Sequence, residues 1–248
     1  TDITIAHQVA ERIVQAFRKS FVLDGHELFC STSIGLVQSN NQYQTTEEML
    51  RDADIAMYRA KAKGGGYEVF DTTMHREVSL LLKIETDLRQ AIANEKLTVF
   101  YQPIIDLKTQ EIIGFEALVR WHHTTQGLIG PDVFIPIAEE TGLIIPLDWW
   151  VLQEACRQVR QWQLQFPHYA HLTVSTNLSS QQFSQANLVV QVQKILAAAE
   201  LPNHCLKLEL TESALIKNPD VAIASLNQLK KLGLEFYIDD FGTGYSSL

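Results

Sequence analysis

Apolar residues at helical and alternating spacings divide the first third of the chain into short elements. Helical periodicity predicts helices over residues 5–18 and 46–63, and the second ends at a glycine run that is a strong stop signal. Alternation predicts a strand over residues 27–37 and a short one over 67–70. A longer helical stripe covers residues 72–94, and a helix there is placed to join two domains. The apolar face of the first helix carries Val9, Ile13 and Phe17.

From residue 97 onward, predicted strands and helices alternate. The strands cover residues 97–106, 110–121, 171–176, 205–211 and 234–239. The helices between them cover 147–165, 187–199 and 220–232. Strands that alternate with helices imply parallel pairing and an α/β fold. The first two strands follow one another so closely that antiparallel pairing is also open to them.

Each predicted strand of this second region is apolar on one side and polar on the other. Because successive side chains point to opposite faces of a strand, Glu116, Asn177, Glu209 and Asp239 all fall on polar faces. Helices would cover the apolar faces, so the polar faces must converge, and buried carboxylates need a cation or a hydrogen-bonded partner. A barrel with a ligand cluster at its C-terminal mouth satisfies this requirement. The alternative, an open sheet of half-solvated strands, leaves the recurring inward acid unexplained.

Two adjacent carboxylates, Asp239 and Asp240, close the last predicted strand. A flexible turn with Gly242 and Gly244 follows them. An α/β enzyme places metal ligands in this way at the mouth of a sheet or barrel. The competing interpretation is that both aspartates are turn formers, since Asp favours the positions before such a glycine.

Composition narrows the class of protein. The chain has 248 residues, enough for one large domain or two medium ones, and 46% of them are hydrophobic. A formal net charge of −9 offers no basic footprint for long DNA or RNA, but it is compatible with a small anion bound through metal ions. The cysteines, Cys30, Cys156 and Cys205, lie far apart in apolar runs, which predicts buried free thiols in a reducing compartment. No apolar run reaches the length of a membrane span, and no signal peptide is visible.

Five motifs in a fixed order resemble a known family. They are Gln102-Pro103-Ile104, Glu116-Ala117-Leu118, Asn177-Leu178-Ser179, Glu209-Leu-Thr-Glu212-Ser213 and Asp239-Asp240-Phe-Gly-Thr-Gly-Tyr-Ser-Ser. Together they resemble the EAL-domain family, phosphodiesterases that linearise the bacterial second messenger cyclic di-GMP. A single tripeptide would carry little weight, whereas five motifs on the expected strands and loops are specific. The resemblance runs from about residue 80 to the end of the chain and implies a TIM-type (β/α) barrel.

The first third resembles the second half of a GGDEF domain, the family of diguanylate cyclases. The likeness rests on Ser33-Ile34-Gly35 and on Ala53-Asp54-Ile-Ala56-Met57-Tyr58-Arg-Ala60-Lys61. By this resemblance Lys61 matches a phosphate-contacting lysine, while Gly65 stands where the family often has Arg. The sequence contains neither the GGDEF motif nor the upstream strand with a metal-binding Asp, so no cyclase activity is expected of these residues.

The EAL resemblance implies a metal centre. Glu116, Asn177, Glu209 and Asp239 would ligate a divalent cation, and Asp240 would reach a second one. Hard oxygen donors of this kind suit Mg²⁺ or Mn²⁺. A pair of such ions would activate a water and neutralise charge in an in-line displacement at the phosphodiester. Among these residues Glu116, Asp239 and Asp240 are the expected catalytic ones.

Further roles follow from the same resemblance. Gln102, Leu118 and Arg120 would line the substrate site, and Arg120 would contact a ligand phosphate. Glu212 would stabilise the loop after its strand, a loop linked to dimerisation and metal binding in the family.

Plain structural interpretations exist for single residues. Glu116 could form a salt bridge with Arg120, and Glu209 could pair with Lys207. Jointly these interpretations fail, because independent accidents on four successive strands are improbable. The adjacent histidines 122 and 123 are predicted to be loop residues and not metal ligands.

The predicted organisation is a partial α+β GGDEF remnant followed by an incomplete TIM-type barrel of the EAL family. Residues 1–71 would be the C-terminal part of the GGDEF domain, 72–94 a linking helix and 95–248 the EAL domain. A complete barrel of eight strands needs about 250 residues, so the last strand–helix units are expected to be missing. A general-base Lys and a later metal-binding Glu would be missing with them, so the chain alone is expected to be inactive.

The function expected of the intact protein is metal-dependent hydrolysis of cyclic di-GMP to linear pGpG in bacterial signalling. The alternative, from another class, is a non-catalytic cyclic di-GMP receptor or regulatory scaffold. An unrelated metal-dependent barrel enzyme that stabilises an enolate ranks far below both. The resemblance also implies a homodimer through the EAL domain, an upstream sensor domain as a compatible partner, and a cytoplasmic location, even if the parent protein is membrane-anchored.

Overall fold

The computed structural model of the protein describes residues 3–23, 26–39, 43–94, 96–211 and 219–239. The chain divides into two units, residues 1–84 and 85–248. The division falls within one helix, Met74–Ala93.

The first unit is built from short strands and two helices. In chain order these are α1 (Ile3–Phe17), β1 (Phe21–Leu23), β2 (His26–Leu28), β3 (Ser33–Leu36), α2 (Thr46–Ala62) and β4 (Gly66–Val69), followed by the start of α3 (Met74–Ala93). Strands β1 and β2 pair antiparallel, and β3 and β4 pair parallel. Helix α2 begins where the sequence predicts, because Thr45 and Glu48 form a capping box that satisfies backbone N–H groups of the first turn.

The prediction of one strand over residues 27–37 is wrong. This segment is divided between β2 and β3, which pair with different partners and belong to different sheets. Residues 29–32 lie between them without regular structure. Cys30 falls in this connection and is exposed, so the prediction of three buried thiols holds only for Cys156 and Cys205.

The apolar stripe of α1 does not mark its buried face. Val9, Ile13 and Phe17 are all exposed. The residues that α1 buries are Ala10 and Val14, one position further along the helix. Small side chains therefore make the close contact, and the larger ones lie on the accessible flank.

Gly35 lies where the Ser33-Ile34-Gly35 motif packs directly against the Ala53–Met57 motif of α2. A Cβ atom added at Gly35 would overlap the carbonyl oxygen of Ala53 and would also lie too close to the backbone nitrogen of Met57. Strand β3 thus approaches the backbone of α2 so closely that only glycine fits.

The second unit alternates strands with helices after an initial hairpin. Its elements are the end of α3, then β5 (Leu97–Ile105), β6 (Ile112–His123), β7 (Gly127–Ile129), α4 (Pro131–Thr141), α5 (Ile144–Gln165), β8 (Thr173–Leu178), α6 (Ser180–Phe183), α7 (Leu188–Ala199), β9 (Leu206–Thr211), α8 (Pro219–Lys231) and β10 (Glu235–Asp239). Single 3₁₀ turns precede β8 and β9. Helix α4 was not predicted from the sequence, although Pro131 opens it and Gly142 in the left-handed conformation ends it.

The strands of the second unit form one sheet in the order β10-β9-β8-β6-β5, with β7 paired to β6. Strands β6, β8, β9 and β10 are parallel, and β5 is antiparallel to β6. The predicted α/β arrangement is therefore confirmed, and so is the antiparallel pairing that the short connection between β5 and β6 left open.

One face of this sheet is the core of the second unit. Leu206, Leu208 and Leu210 of β9 are at most 1% exposed, whereas the residues between them are half-buried. Helix α5 packs on β8 and contributes Ala155 and Val159 to the same layer. Complete burial of each leucine side chain stabilises the fold by about 1.5–3 kcal/mol. The alternation predicted for this strand is confirmed, and it leaves the opposite face for polar residues.

The two adjacent histidines do not lie in a loop as predicted. They are the last two residues of β6, and they point to opposite faces, His122 exposed and His123 buried. His123 Nε2 lies 2.9 Å from a carboxylate oxygen of Asp87. The backbone N–H groups of Thr125 and Gln126 donate to His123 Nδ1, so Nε2 carries the proton that Asp87 accepts.

Within the part of the chain that the structure describes, none of the helices combines the length and the apolar character needed to cross a membrane.

Candidate metal and ligand site

The pairing register places the predicted site residues on one face of the sheet. Glu116 of β6 lies opposite both Gln102 of β5 and Ser175 of β8. Asn177, two residues further along β8, lies opposite Glu209 of β9. Directly paired residues project from the same face, so this row of polar side chains is continuous across four strands.

Asp239 extends the same row to the last strand. It pairs with Thr211 of β9, which lies two residues beyond Glu209 and therefore on the same face. Asp239 is exposed at the end of β10. The four predicted ligands thus come from four consecutive parallel strands, as expected from their positions in the sequence.

Two of the predicted ligands are in direct contact. The side-chain amide of Asn177 donates a hydrogen bond to Glu116 Oε1 over 3.0 Å. Because the amide nitrogen is used in this bond, Oδ1 is the Asn177 atom left to bind a cation. The contact joins β6 to β8 at the predicted metal site.

Glu209 is a partly buried carboxylate close to two other carboxylates, and this environment raises its pKa. Burial is the main cause that raises the pKa of Glu209 above its ordinary value. The negative charges of Glu116 and Asp239 raise it further, while the Ser175 side chain acts in the opposite direction. A divalent cation at this place would relieve the repulsion among the three acids.

The donor set fits a hard divalent cation in its chemistry, since it consists of carboxylate and amide oxygens. Among the residues that the structure describes, no three side chains of His, Cys, Asp and Glu come close enough together to form a ready-made metal cluster. Asp240 lies outside the described residues. The assignment of these side chains as metal ligands therefore stays a prediction.

A cavity of about 270 Å³ opens beside the predicted ligands. Its lining includes two of the predicted metal ligands, Asn177 and Glu209, and two of the predicted substrate-binding residues, Leu118 and Arg120. The cavity thus brings together residues from β6, β8 and β9 that are far apart in the sequence.

Arg120 is held by neighbours on the inner face of the hairpin. Its guanidinium lies 5.7 Å from the centre of the Phe100 ring, and Nη1 donates to the Val119 carbonyl oxygen over 2.8 Å. Such a cation–π contact is worth about 0.5–2 kcal/mol. The planar guanidinium is fixed at the wall of the cavity, where it can present its remaining donors to an anion.

The plain salt-bridge interpretations do not describe this site. Within the described ranges no ion pair joins Glu116 to Arg120, and Lys207 pairs with Glu235 at 3.3 Å and not with Glu209. Among the described residues, neither Glu116 nor Glu209 forms the salt bridge that the plain interpretation predicts, so both remain in the row of polar side chains on this face of the sheet.

The remaining predicted residues are Gln102, Glu212 and Lys61. Gln102 is exposed on β5, opposite Glu116. Glu212 lies outside the described residues. Lys61 belongs to the first unit, where it is exposed in the last turn of α2. Its predicted phosphate contact is untested.

Sequence reasoning missed Asp148. This residue of α5 also lines the cavity, and its Oδ2 accepts the backbone N–H of Ser179 over 3.2 Å. Burial raises the pKa of Asp148 to about 7, although the hydrogen bonds from Ser179 oppose the shift and the charge of Glu139 adds to it. The signal in the sequence was a single acid on the otherwise apolar face that includes Leu147 and Val151.

Both parts of the chain match known family models. The EAL domain model matches residues 85–248, and the model described as diguanylate cyclase, GGDEF domain, matches residues 1–66. The first match covers more than half of the chain.

Curated relatives include several bacterial signalling proteins. The chain is 41% identical to the bifunctional diguanylate cyclase/cyclic di-GMP phosphodiesterase MucR of Pseudomonas aeruginosa over 98% of its own length and 35% of the relative. It is 40% identical to the cyclic di-GMP phosphodiesterase NbdA of the same organism, over 98% and 31%. It is 37% identical to the cyclic di-GMP phosphodiesterase PdeR of Escherichia coli, over 97% and 36%. The chain therefore spans about a third of the length of these relatives.

Solved structures agree with this likeness. A PaMucR phosphodiesterase in complex with c-di-GMP has a TM-score of 0.63 and 44% identity, covering 66% of each chain. The EAL enzyme Bd1971, bound to cAMP and cyclic-di-GMP, has a TM-score of 0.66 and 30% identity, covering 84% of this chain and 54% of the other.

These matches confirm the predicted fold class, because the sheet with its crossover helices lies within the region that the EAL model covers. They also confirm the predicted order of the two family segments, GGDEF first and EAL second. The chain belongs to the EAL domain family, and a GGDEF-type segment precedes its EAL region.

Proposed function

We propose that the protein is a phosphodiesterase that hydrolyses cyclic di-GMP to linear pGpG with Mg²⁺ or Mn²⁺, in bacterial second-messenger signalling. The observation that carries the proposal is the contact between Asn177 and Glu116 beside Glu209, on one face of the sheet. The names of the relatives MucR, NbdA and PdeR support the substrate class.

The proposed division of labour follows the positions of the side chains. Glu116, Asn177, Glu209 and Asp239 would hold the metal, with Asp240 as the residue that reaches a second ion. Bound metal would supply an activated water and neutralise charge on the phosphodiester. The acids among these residues are the ones whose mutual repulsion a bound cation would relieve.

Substrate contacts would come from the hairpin of β5 and β6. Arg120 would bind a phosphate through the face of its guanidinium that Phe100 leaves accessible. Leu118 lines the same cavity, and Gln102 projects from the facing strand. These residues would orient the phosphodiester toward the acids.

We further infer that residues 95–248 form the EAL domain, that 72–94 form a linking helix, and that 1–71 are a GGDEF-type segment without cyclase activity. The division of the chain near residue 84 supports this arrangement. Dimerisation through the EAL domain, a role of Glu212 in its loop, a phosphate contact at Lys61 and an upstream sensor belong to the same proposal.

The experiment is hydrolysis of cyclic di-GMP by the full-length gene product, followed by chromatography of the nucleotides. We expect conversion to pGpG with Mg²⁺ or Mn²⁺ and none after chelation with EDTA. Restoration of turnover by added Mn²⁺ would show that the loss was due to the metal. Nucleotide binding without turnover at any metal concentration would contradict the proposal.

The second candidate function is a non-catalytic cyclic di-GMP receptor. The observation that favours it is the cavity beside Arg120, which the side chains of the protein form by themselves. A receptor would bind cyclic di-GMP equally well with and without EDTA and would release no pGpG.

A further inference from the structure

Asp148 is an acid that the proposed chemistry does not use, although it lies at the cavity. It belongs to α5, which packs against β8 from the apolar side of the sheet. Its Oδ2 accepts the backbone N–H of Ser179, just beyond the end of β8, over 3.2 Å. Burying a carboxyl group costs free energy unless hydrogen bonds compensate it. The bond from Ser179 supplies part of this compensation, and the question is what the buried acid does for Ser179 in return.

Ser179 is the junction between β8 and α6. Its hydroxyl accepts the backbone N–H of Gln182 over 3.2 Å and so caps the helix Ser180–Phe183. Its own N–H is taken by Asp148. The carbonyl oxygen of Ser179 accepts the N–H of Phe183 over 2.9 Å. The hydroxyl and the carbonyl oxygen of Ser179 therefore bond to the helix that follows, and its N–H bonds to α5.

The fixed junction lies two residues after Asn177. Asn177 is the last residue of β8 on the polar face of the sheet, and its amide donates to Glu116. Leu178 alone separates Asn177 from Ser179, so a displacement of Ser179 is passed along a single residue to the backbone of Asn177. A shift of this backbone by a fraction of an ångström would move Asn177 Oδ1 away from any cation that Glu116 and Glu209 bind.

We propose that Asp148 is a positioning residue for the metal site, which fixes Ser179 and through it the side chain of Asn177. The inference rests on the proposed function insofar as that function makes Asn177 a ligand. Asp148 touches neither metal nor substrate in this assignment; it acts through the backbone. Residues that orient metal ligands in this way typically change metal affinity or activity by about 10–100-fold when they are replaced.

The test measures Mn²⁺ binding directly, by the EPR signal of free Mn²⁺ in titrations of the full-length protein without substrate. We expect Asp148→Ala to raise the Kd for Mn²⁺ by about 10–100-fold. Asp148→Asn keeps an oxygen that can accept the Ser179 N–H, so its Kd is expected to stay within about threefold of the wild type.

Gln163→Ala is the matched control on the same helix. Buried Gln163 donates to the Leu172 carbonyl oxygen over 2.9 Å, before the start of β8, so its loss should lower thermal stability without moving Ser179. An Asp148→Ala protein with lowered stability and a wild-type Kd for Mn²⁺, like the control, would overturn the proposal and leave Asp148 with a packing role.

A second pair of variants tests the same bond if Asp148→Ala does not fold. Ser179 has φ −64° and ψ 153°, which proline can adopt. Ser179→Ala removes the capping hydroxyl and keeps the N–H, whereas Ser179→Pro removes both. We expect the proline variant to bind Mn²⁺ about tenfold more weakly than the alanine variant. Equal affinities would contradict a role for the Asp148 contact.

The outcomes separate this inference from the proposed function. A wild-type protein that binds Mn²⁺ but does not hydrolyse cyclic di-GMP defeats the proposed function, while the ratio of Kd values still decides the role of Asp148. A wild-type protein that binds no Mn²⁺ overturns the role of Asp148 in a metal site, whatever the nucleotide assay gives.

Discussion

The amide nitrogen of Asn177 lies 3.0 Å from Oε1 of Glu116, although 61 residues separate them in the sequence. The bond joins two parallel strands at the place where the predicted ligands meet. It also orients the Asn177 amide, because Nδ2 is used in the bond and Oδ1 remains as an acceptor.

Glu116→Gln should reduce hydrolysis of cyclic di-GMP by more than about 100-fold, because an amide is a weak ligand for Mg²⁺ in place of a carboxylate. The fold should persist, since Glu116 is only half-buried and the amide can still meet Asn177. Chromatographic assay and thermal unfolding measure the two effects. Glu111→Gln, an exposed acid before the same strand, serves as the control and should keep wild-type activity; near-normal activity of Glu116→Gln would refute the ligand assignment.

Replacement of Phe100 by Leu should weaken binding of cyclic di-GMP by about 2–30-fold, because the ring no longer attracts the guanidinium of Arg120. Arg120→Lys should weaken it at least as much, since an ammonium cannot form a bidentate contact with phosphate. Titration calorimetry in EDTA measures both affinities without turnover. An unchanged Kd in the Arg120→Lys protein would show that the phosphate lies elsewhere.

The stability of the protein should depend on pH through Asp148. Its pKa is about 7 in the folded protein against an ordinary value of 3.8, so between these values the folded state binds more protons than the unfolded state. The free energy of unfolding therefore falls as pH rises through this window, by at most about 1.4 kcal/mol per pH unit. Asp148→Asn should remove this contribution.

Urea unfolding of the wild type and Asp148→Asn at about pH 5 and about pH 7 measures that slope. All other titrating groups are common to the two proteins, so the difference between their slopes isolates Asp148. Parallel pH profiles would mean that Asp148 is ionised throughout.

Asp87→Ala should destabilise the second unit by about 1–3 kcal/mol, because the buried Nε2–H of His123 loses its acceptor. Asp87→Asn can still offer an oxygen and should recover part of this loss. The measurement is urea unfolding at neutral pH. Equal stability of all three proteins would mean that water replaces Asp87.

Gly35→Ala should destabilise the first unit by about 1–3 kcal/mol, because the added methyl group meets the backbone of α2 and not a movable side chain. Hydrogen exchange of the α2 amides reports the change locally. Full protection of α2 in the variant would contradict the close approach of β3.

The strands of the second unit were predictable because the alternation of apolar and polar residues in each of them shows which face is buried. Leu206, Leu208 and Leu210 alternate with polar residues, and the same alternation places Glu209 on the inner face. Motif order then supplied the ligand set. The pairing of Asn177 with Glu209 depends on the register between β8 and β9. The sequence indicated this register only indirectly, because both residues lie near the C-terminal ends of their strands.

Other features were not predictable because they depend on tertiary contacts. The stripe of Val9 and Ile13 is helical but does not show which flank of α1 is covered, since Ala10 and Val14 allow closer packing. The alternation over residues 27–37 cannot reveal that the chain changes partner strand halfway. Asp148 was missed because its partner is a backbone N–H, and every residue except proline has one, so no residue type in the sequence indicates the contact.

The antiparallel pairing of β5 with β6 has a consequence for the order of folding. Gln102 and Glu116 face each other across a hairpin closed by a short turn, so their half of the site needs only local contacts and little loop-closure entropy. Asn177, Glu209 and Asp239 join it only after successive crossovers have docked. Metal affinity should therefore appear late in refolding and report that the parallel strands have assembled, well after the hairpin itself has formed.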